Sequence, residues 1–295
     1  MTWNPKNKRD VSNRVLNPID HRSNGIIQRG KDTYIDFSSN DYLGLSKNIR
    51  LENEMKNAIT RYGVGSTGSR LLSGDYKINH ILEENLAKWQ GKESALTFNS
   101  GFQMNTGVMT ALFGKDTLIL ADKWCHASLI DGALGCSGKL MRYAHHDIAH
   151  LKRILDKNRG KYKRVVIVTE SVFSMDGDIA PFQEIIDLKK HYQAELMVDE
   201  AHALGLFGRT GGGVLEEWGL QPDVEYVMGT FGKALGSCGA FIGCSDDVKQ
   251  YLINKCRSFI YSTALPVPVV AVNNIAIQLV QKMADCAKKV RGLAE

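Results

Sequence analysis

The sequence predicts an α/β fold with a mostly parallel sheet covered by helices on both faces. Short apolar runs without polar alternation, such as Arg164-Val165-Val166-Ile167-Val168-Thr169, read as strands buried on both sides. Stretches with helical spacing separate these runs almost one for one, the pattern of strand–helix–strand crossovers. At 295 residues the chain is long enough to bury a large core as one domain or two.

Residues up to about 30 are polar and broken by Pro5 and Pro18, and read as an arm or short helix outside the core. Tyr34-Ile35-Asp36-Phe37 reads as a short strand. Helical spacing covers 48–62, ended by Gly63, and 78–90, closed by Gly91. Strands are expected at 95–98, 117–120, 139–143, 164–169, 195–198 and 225–228. Helices are expected at 102–113, 127–134, from Asp147 to about 157, and at 182–192. Residues 239–243 read as an antiparallel or edge strand, and one apolar helix is expected from Pro266 to about Cys286, with an uncovered apolar face.

The net charge of +5 is small, and Lys and Arg are scattered among Asp and Glu. That is a solvated surface rather than a nucleic-acid footprint. The six cysteines form no CxxC pair, which argues against zinc and against a disulfide scaffold and makes a reduced cytoplasm the default. The N-terminus lacks the apolar core of a signal peptide, and no apolar run approaches the length of a membrane span.

Two motifs carry chemistry. Val198-Asp199-Glu200-Ala201-His202 and Gly229-Thr230-Phe231-Gly232-Lys233-Ala234-Leu235-Gly236 each follow an expected strand. Open α/β sheets bind ligands beyond the carboxyl ends of their strands. A lysine there can form a Schiff base, and a buried carboxylate there can hold a cationic ring nitrogen. Together they are the pair that pyridoxal phosphate requires. The plainer alternatives are a surface lysine after a tight turn and an aspartate capping a helix. His126 and His202 read equally as packed histidines or as cofactor contacts, and Ser174 as a turn residue or a hydrogen-bonding group in the site.

Other motifs lack their context. Gly63-Val64-Gly65-Ser66-Thr67-Gly68 fits a dinucleotide fingerprint but follows a helix, which opposes a dinucleotide-dependent oxidoreductase. Ala234 after Gly232-Lys233 breaks the P-loop pattern. His145, His146 and His150 suggest a metal only weakly, because no carboxylate or cysteine cluster joins them at ligand spacing in the sequence.

The ordered set of motifs resembles the α-oxoamine synthases, a pyridoxal-phosphate family of the aspartate-aminotransferase fold (fold type I). The set runs through Phe37-Ser38-Ser39-Asn40-Asp41-Tyr42-Leu43-Gly44-Leu45, Gly65-Ser66-Thr67-Gly68-Ser69-Arg70-Leu71-Leu72-Ser73-Gly74, Ser100-Gly101-Phe102, His126-Ala127-Ser128 and Val172-Phe173-Ser174-Met175-Asp176-Gly177, and ends in the two motifs above. The resemblance implies condensation of an amino acid with an acyl thioester of CoA or acyl carrier protein, with loss of CO₂, by a homodimer. Ser-Ser-Asn-Asp-Tyr-Leu-Gly and Thr-Phe-Gly-Lys point to the member using L-alanine and a pimeloyl thioester. Glycine C-acetyltransferase, 5-aminolevulinate synthase and serine palmitoyltransferase share the chemistry.

By the same resemblance Lys233 would bind the cofactor covalently and Asp199 would pair with its ring nitrogen. His202 would hydrogen-bond its ring hydroxyl, and His126 would stack on the ring. Gly101 and Phe102 would offer backbone N–H groups to its phosphate, with Ser174 and Thr230 completing the site. Arg14 and Asn40 would contact substrate, as would His126. The implied organisation is an arm and first strand (1–45), a large cofactor domain (46–262), and a linking helix (263–295). The last would begin a C-terminal domain that is truncated here, so that the chain as given could also be an inactive cofactor-binding fragment.

Overall fold

A computed structural model describes residues 14–294, in two compact units that adjoin in sequence at Ser39 and Asn40. In the first unit, Asn24 and Gly25 take φ values of 50° and 74°, the left-handed pair that a two-residue hairpin turn needs. They join β1 (His21–Ser23) to β2 (Ile26–Arg29), and a second turn leads into β3 (Asp32–Ile35). The three strands form an antiparallel meander. From residue 21 the expected arm or short helix is therefore sheet, and its last strand begins two residues earlier than expected. The Asn-Gly pair was the available signal; its mostly polar flanks hid it. The stretch before Arg14 lies outside the described residues.

The second unit opens with α1 (Ile49–Tyr62), where the Asn48 side chain accepts the Arg50 N–H, and α2 (Lys77–Gln90), closed by left-handed Gly91. Alternation then follows: β4 (Ser94–Phe98), α3 (Gly101–Leu112), β5 (Thr117–Asp122), α4 (Ala127–Gly135), β6 (Lys139–Tyr143), α5 (Ile148–Asn158), β7 (Arg164–Glu170), α6 (Phe182–Tyr192), β8 (Glu195–Asp199), α7 (Val214–Glu217) and β9 (Tyr226–Thr230). The chain continues through β10 (Ala240–Cys244), α8 (Asp246–Lys255), α9 (Arg257–Ile260), α10 (Val267–Val280) and α11 (Ala284–Ala294).

Seven strands form one sheet in the order β4-β10-β9-β8-β7-β5-β6. Only β10 opposes its neighbours; the β6–β5–β7–β8–β9 ladder is parallel. β10 is antiparallel, as the sequence suggested, but it is interior, and every one of its residues is buried. One face packs Met104, Val108 and Leu129 of α3 and α4 on the sheet, and the other packs Leu151, Phe182 and Ile185 of α5 and α6. Each such buried side chain contributes about 1.5–3 kcal/mol.

The apolar helix expected from Pro266 is two helices, α10 and α11, bent by 77° at a break. Its apolar face is not uncovered. Val270, Ala276, Ile277 and Val280 are buried in a third cluster with Leu51 of α1 and Leu82 and Leu86 of α2. Among the described residues no single helix is long and apolar enough to cross a membrane.

Candidate active site

The parallel strands end on one rim, and the chemistry-bearing residues follow those ends. His126 follows β5, Glu170 closes β7, Asp199 closes β8 and Lys233 comes three residues after β9. Gly236, at φ 64°, shapes the lysine turn: its N–H donates to the Lys233 carbonyl at 2.8 Å, and Ser237 N–H donates to Phe231 O at 2.9 Å. A side chain at Gly236 would strike the backbone of Leu45 and Ser46, so that turn is packed against the segment before α1.

Burial lowers the Lys233 pKa below the ordinary lysine value, against the opposing pull of Asp199 and Glu170. A lysine in that state offers a neutral amine more readily than an exposed one. Asp199 is 8% exposed. Its Oδ1 accepts the Ala201 N–H at 2.9 Å, and its Oδ2 accepts from Asn105 Nδ2 at 3.0 Å. Glu170 lies directly beside it in the β7–β8 register and accepts the His126 backbone N–H. Burial, reinforced by the Asp199 charge, raises Glu170 well above the usual carboxylate range. Burial beside a second carboxyl is what drives the Glu170 shift upward.

Burial and the nearby Lys233 charge push His202 down to about 4. Its Nδ1 lies 2.8 Å from the Tyr42 hydroxyl, which donates to Asn40 Oδ1 at 3.2 Å. A cavity of about 840 Å³ beside His202 is lined by Tyr42, Ser174, Phe207 and Arg291. The ring of His126 is exposed at the start of α4. Helix α3 begins at Gly101, where the Ser100 side chain accepts the Gln103 N–H; the first N–H groups of any helix have no partner within it. A Cβ built on Gly101 would meet nothing within 4 Å, so the space beside the first residue of the helix is open. Phe102 is half-exposed there. Thr230 Oγ1 donates to Gly239 O at 2.9 Å and accepts the Gly232 N–H at 3.2 Å, holding the lysine turn. Arg14 is an exposed residue of the first unit.

The sequence reading missed Asn105, Ser128, Glu170 and Tyr42 as site groups. Asn105 had a signal, since it stands one helical turn after Gly101 as a polar residue in an apolar stripe. The histidine pair also needs correction, because carboxylates remote in sequence do join it. His145 Nδ1 lies 2.9 Å from Asp122 Oδ1 and Nε2 lies 2.8 Å from Asp178 Oδ2, with His146 Nδ1 3.5 Å from Asp178. Burial would lower the His145 pKa, but its bonds to Asp178 and Asp122 outweigh that and raise it. His145 uses both ring nitrogens to tie the end of β5 to the loop between β7 and α6.

A poised amine, a buried carboxylate, a flat exposed ring and an open helix N-terminus on one sheet rim fit pyridoxal phosphate. The class is that of fold-type-I pyridoxal-phosphate enzymes. The family model for aminotransferase class I and II matches residues 32–294. The 8-amino-7-oxononanoate synthase of Trichlorobacter lovleyi is 44% identical over 276 residues, spanning 94% of this chain and 70% of the relative. Among solved structures, a serine palmitoyltransferase from S. paucimobilis with bound PLP–myriocin aldimine matches at TM-score 0.83 and 29% identity, covering 92% of this chain and 68% of that one. An 8-amino-7-oxononanoate synthase from Francisella tularensis matches at TM-score 0.72 and 32% identity, covering 84% and 70%. The chain belongs to the 8-amino-7-oxononanoate synthase family.

Proposed function

We propose that the protein catalyses the decarboxylative condensation of L-alanine with pimeloyl-CoA or a pimeloyl carrier protein, giving 8-amino-7-oxononanoate for biotin biosynthesis. The observation that carries this reading is the meeting of Lys233 and Asp199 on one rim, in a chain 44% identical to a synthase of that name. Bound pyridoxal phosphate would supply an electron sink for the carbanion that attacks the thioester.

The chain's own residues would do the rest. Lys233 would hold the cofactor and, once released from it, take the proton from the alanine Cα. Its burial keeps the amine available for that task. Asp199 would keep the ring nitrogen protonated, with Glu170 beside it in the strand register. His126 would lie against the ring face and contact substrate. His202, anchored by Tyr42, would approach the ring hydroxyl. The α3 N-terminus at Gly101 and Phe102 would take the phosphate, with Ser174 and Thr230 nearby. Asn40, joined to Tyr42, would line the substrate side, and Arg14 would contact substrate. We further propose that the protein works as a cytoplasmic homodimer and that 46–262 is its cofactor domain.

The test is a product assay on the full chain loaded with cofactor. L-alanine, glycine and L-serine are each offered with pimeloyl, acetyl and palmitoyl thioesters, and products are read by mass. The alanine–pimeloyl pair should give the product. Turnover confined to glycine or serine would overturn the assignment, and turnover absent with every pair would favour an inactive cofactor-binding fragment.

A further inference from the structure

Asn105 sits in the middle of α3, between Met104 and the core residues Val108 and Met109, and is 2% exposed. A polar side chain there is costly, the more so because its Oδ1 is buried without a partner. Leucine or alanine would fill the position more cheaply, so the amide must do something an apolar group cannot.

Its contacts show what that is. Asn105 Nδ2 lies 3.0 Å from Asp199 Oδ2 and 2.9 Å from Ser128 Oγ. The group facing Asp199 must be the NH₂, because an amide oxygen at that distance would oppose a carboxylate oxygen. The amide thus donates both hydrogens, one to Asp199 and one to Ser128. Ser128 Oγ has a single hydrogen left to donate, and His126 Nδ1 lies 2.8 Å away. The Ser128 backbone N–H is aimed at the same Nδ1 from 3.3 Å. With two donors directed at it, Nδ1 is an acceptor, and the ring proton of His126 resides on Nε2.

We propose that Asn105 is a positioning residue that holds the Asp199 carboxylate and, through Ser128, fixes the tautomer of His126. Taking Asp199 and His126 as the groups that meet the cofactor ring, which rests on the function proposed above, one buried amide sets both. Asp199 receives this hydrogen bond on Oδ2, the oxygen that Ala201 leaves free. His126 presents its Nε2–H edge, and its ring is kept in register with Asp199 by a chain of three hydrogen bonds. The network uses no cofactor atom, so it is already formed in the apo-protein.

The experiment therefore begins on apo-protein. Histidine labelled with ¹⁵N reports which ring nitrogen of His126 carries the proton, with the signal assigned by loss in His126→Gln. The expected pattern is an unprotonated Nδ1 and a protonated Nε2. Ser128→Ala and Asn105→Ala should each convert this to a tautomer mixture. A protonated Nδ1 in the wild type, or an unchanged pattern in Ser128→Ala, overturns the proposal even if Asn105→Ala fails to fold. In the second arm, pyridoxal phosphate is titrated by absorbance. Asn105→Ala, which loses the bond to Asp199, should weaken cofactor affinity at least tenfold, the scale of one hydrogen bond to a charged group. Ser128→Ala should change it less than about threefold on the same scale. Equal affinities for wild type and Asn105→Ala would overturn the Asp199 half. A wild type that binds no cofactor would count against the proposed function, while the tautomer would still decide this inference.

Discussion

At the scale of single residues, environment rather than identity sets the chemistry. Lys233 and Lys92 are both lysines lowered by burial beside carboxylates, but whereas Lys92 precedes a strand, Lys233 follows the carboxyl end of one, where an open α/β sheet binds ligands. Because its pKa is lowered, the neutral amine is present at lower pH than in an exposed lysine. Cofactor capture, trapped by borohydride and read by peptide mass, should therefore label Lys233 near neutral pH, ahead of every other lysine. Label distributed over surface lysines would contradict this. His202 gives a second prediction. Its folded pKa of about 4 lies below the unfolded value of about 6.5, so the unfolded chain binds the proton first as pH falls. Its contribution to stability is present above about 6.5 and is lost as pH drops towards 4. His202→Gln should show a shallower acid loss in denaturant midpoints between pH 7 and 4 than the wild type. Parallel curves would mean that His202 titrates normally.

At the scale of elements, the site depends on how strands and turns are braced. Gly236 combines a positive φ with close approach to Leu45 and Ser46. Alanine there would have to displace backbone, so Gly236→Ala should cost more than about 1 kcal/mol and slow cofactor capture at Lys233. Normal capture with normal stability would show that the turn adapts. Glu83 makes a stronger case. It is 1% exposed and holds Arg70 Nη1 at 2.8 Å and Lys249 Nζ at 3.1 Å, while accepting the Thr97 N–H at 3.1 Å. Glu83→Ala would leave a largely buried guanidinium with Asp75 as its remaining carboxylate and the Thr97 N–H without its acceptor, and should cost up to about 3–5 kcal/mol by chemical denaturation. The sequence made most of these elements legible because their periodicity and stops are local: Asn48, Gly63 and Gly91 delimit helices where they stand. It could not reveal what joins elements far apart. Asp122, at the end of β5, and Asp178, in the loop before α6, both reach His145, and Asn105 reaches Asp199 from a neighbouring helix. Position 281, where the long apolar stretch breaks, carries neither Gly nor Pro, so nothing local announced the bend.

At the scale of the whole molecule, His126, Asp199 and Lys233 could be singled out because each closes or follows an apolar strand, whereas exposed apolar surface becomes visible only after folding. α10, whose apolar run suggested an uncovered face, is sealed by α1 and α2. The loop after α1 does present apolar groups to solvent. Val64 is 79% exposed, Leu72 82% and Leu71 48%, all within one short segment. Clustered exposure of that kind marks an interaction surface more often than scattered apolar residues do. The same loop carries Arg70, whose anchorage to Asp75 and Glu83 gives it a fixed shape. A fixed apolar surface is suited to pairing with a second copy by two-fold symmetry, where each substitution acts twice. Sedimentation velocity at micromolar concentration should show a dimer, and Leu72→Glu combined with Val64→Glu should shift it to monomer without lowering the denaturation midpoint, since neither side chain is in the core. A wild-type monomer, or a dimer indifferent to both charges, would remove this loop from the interface.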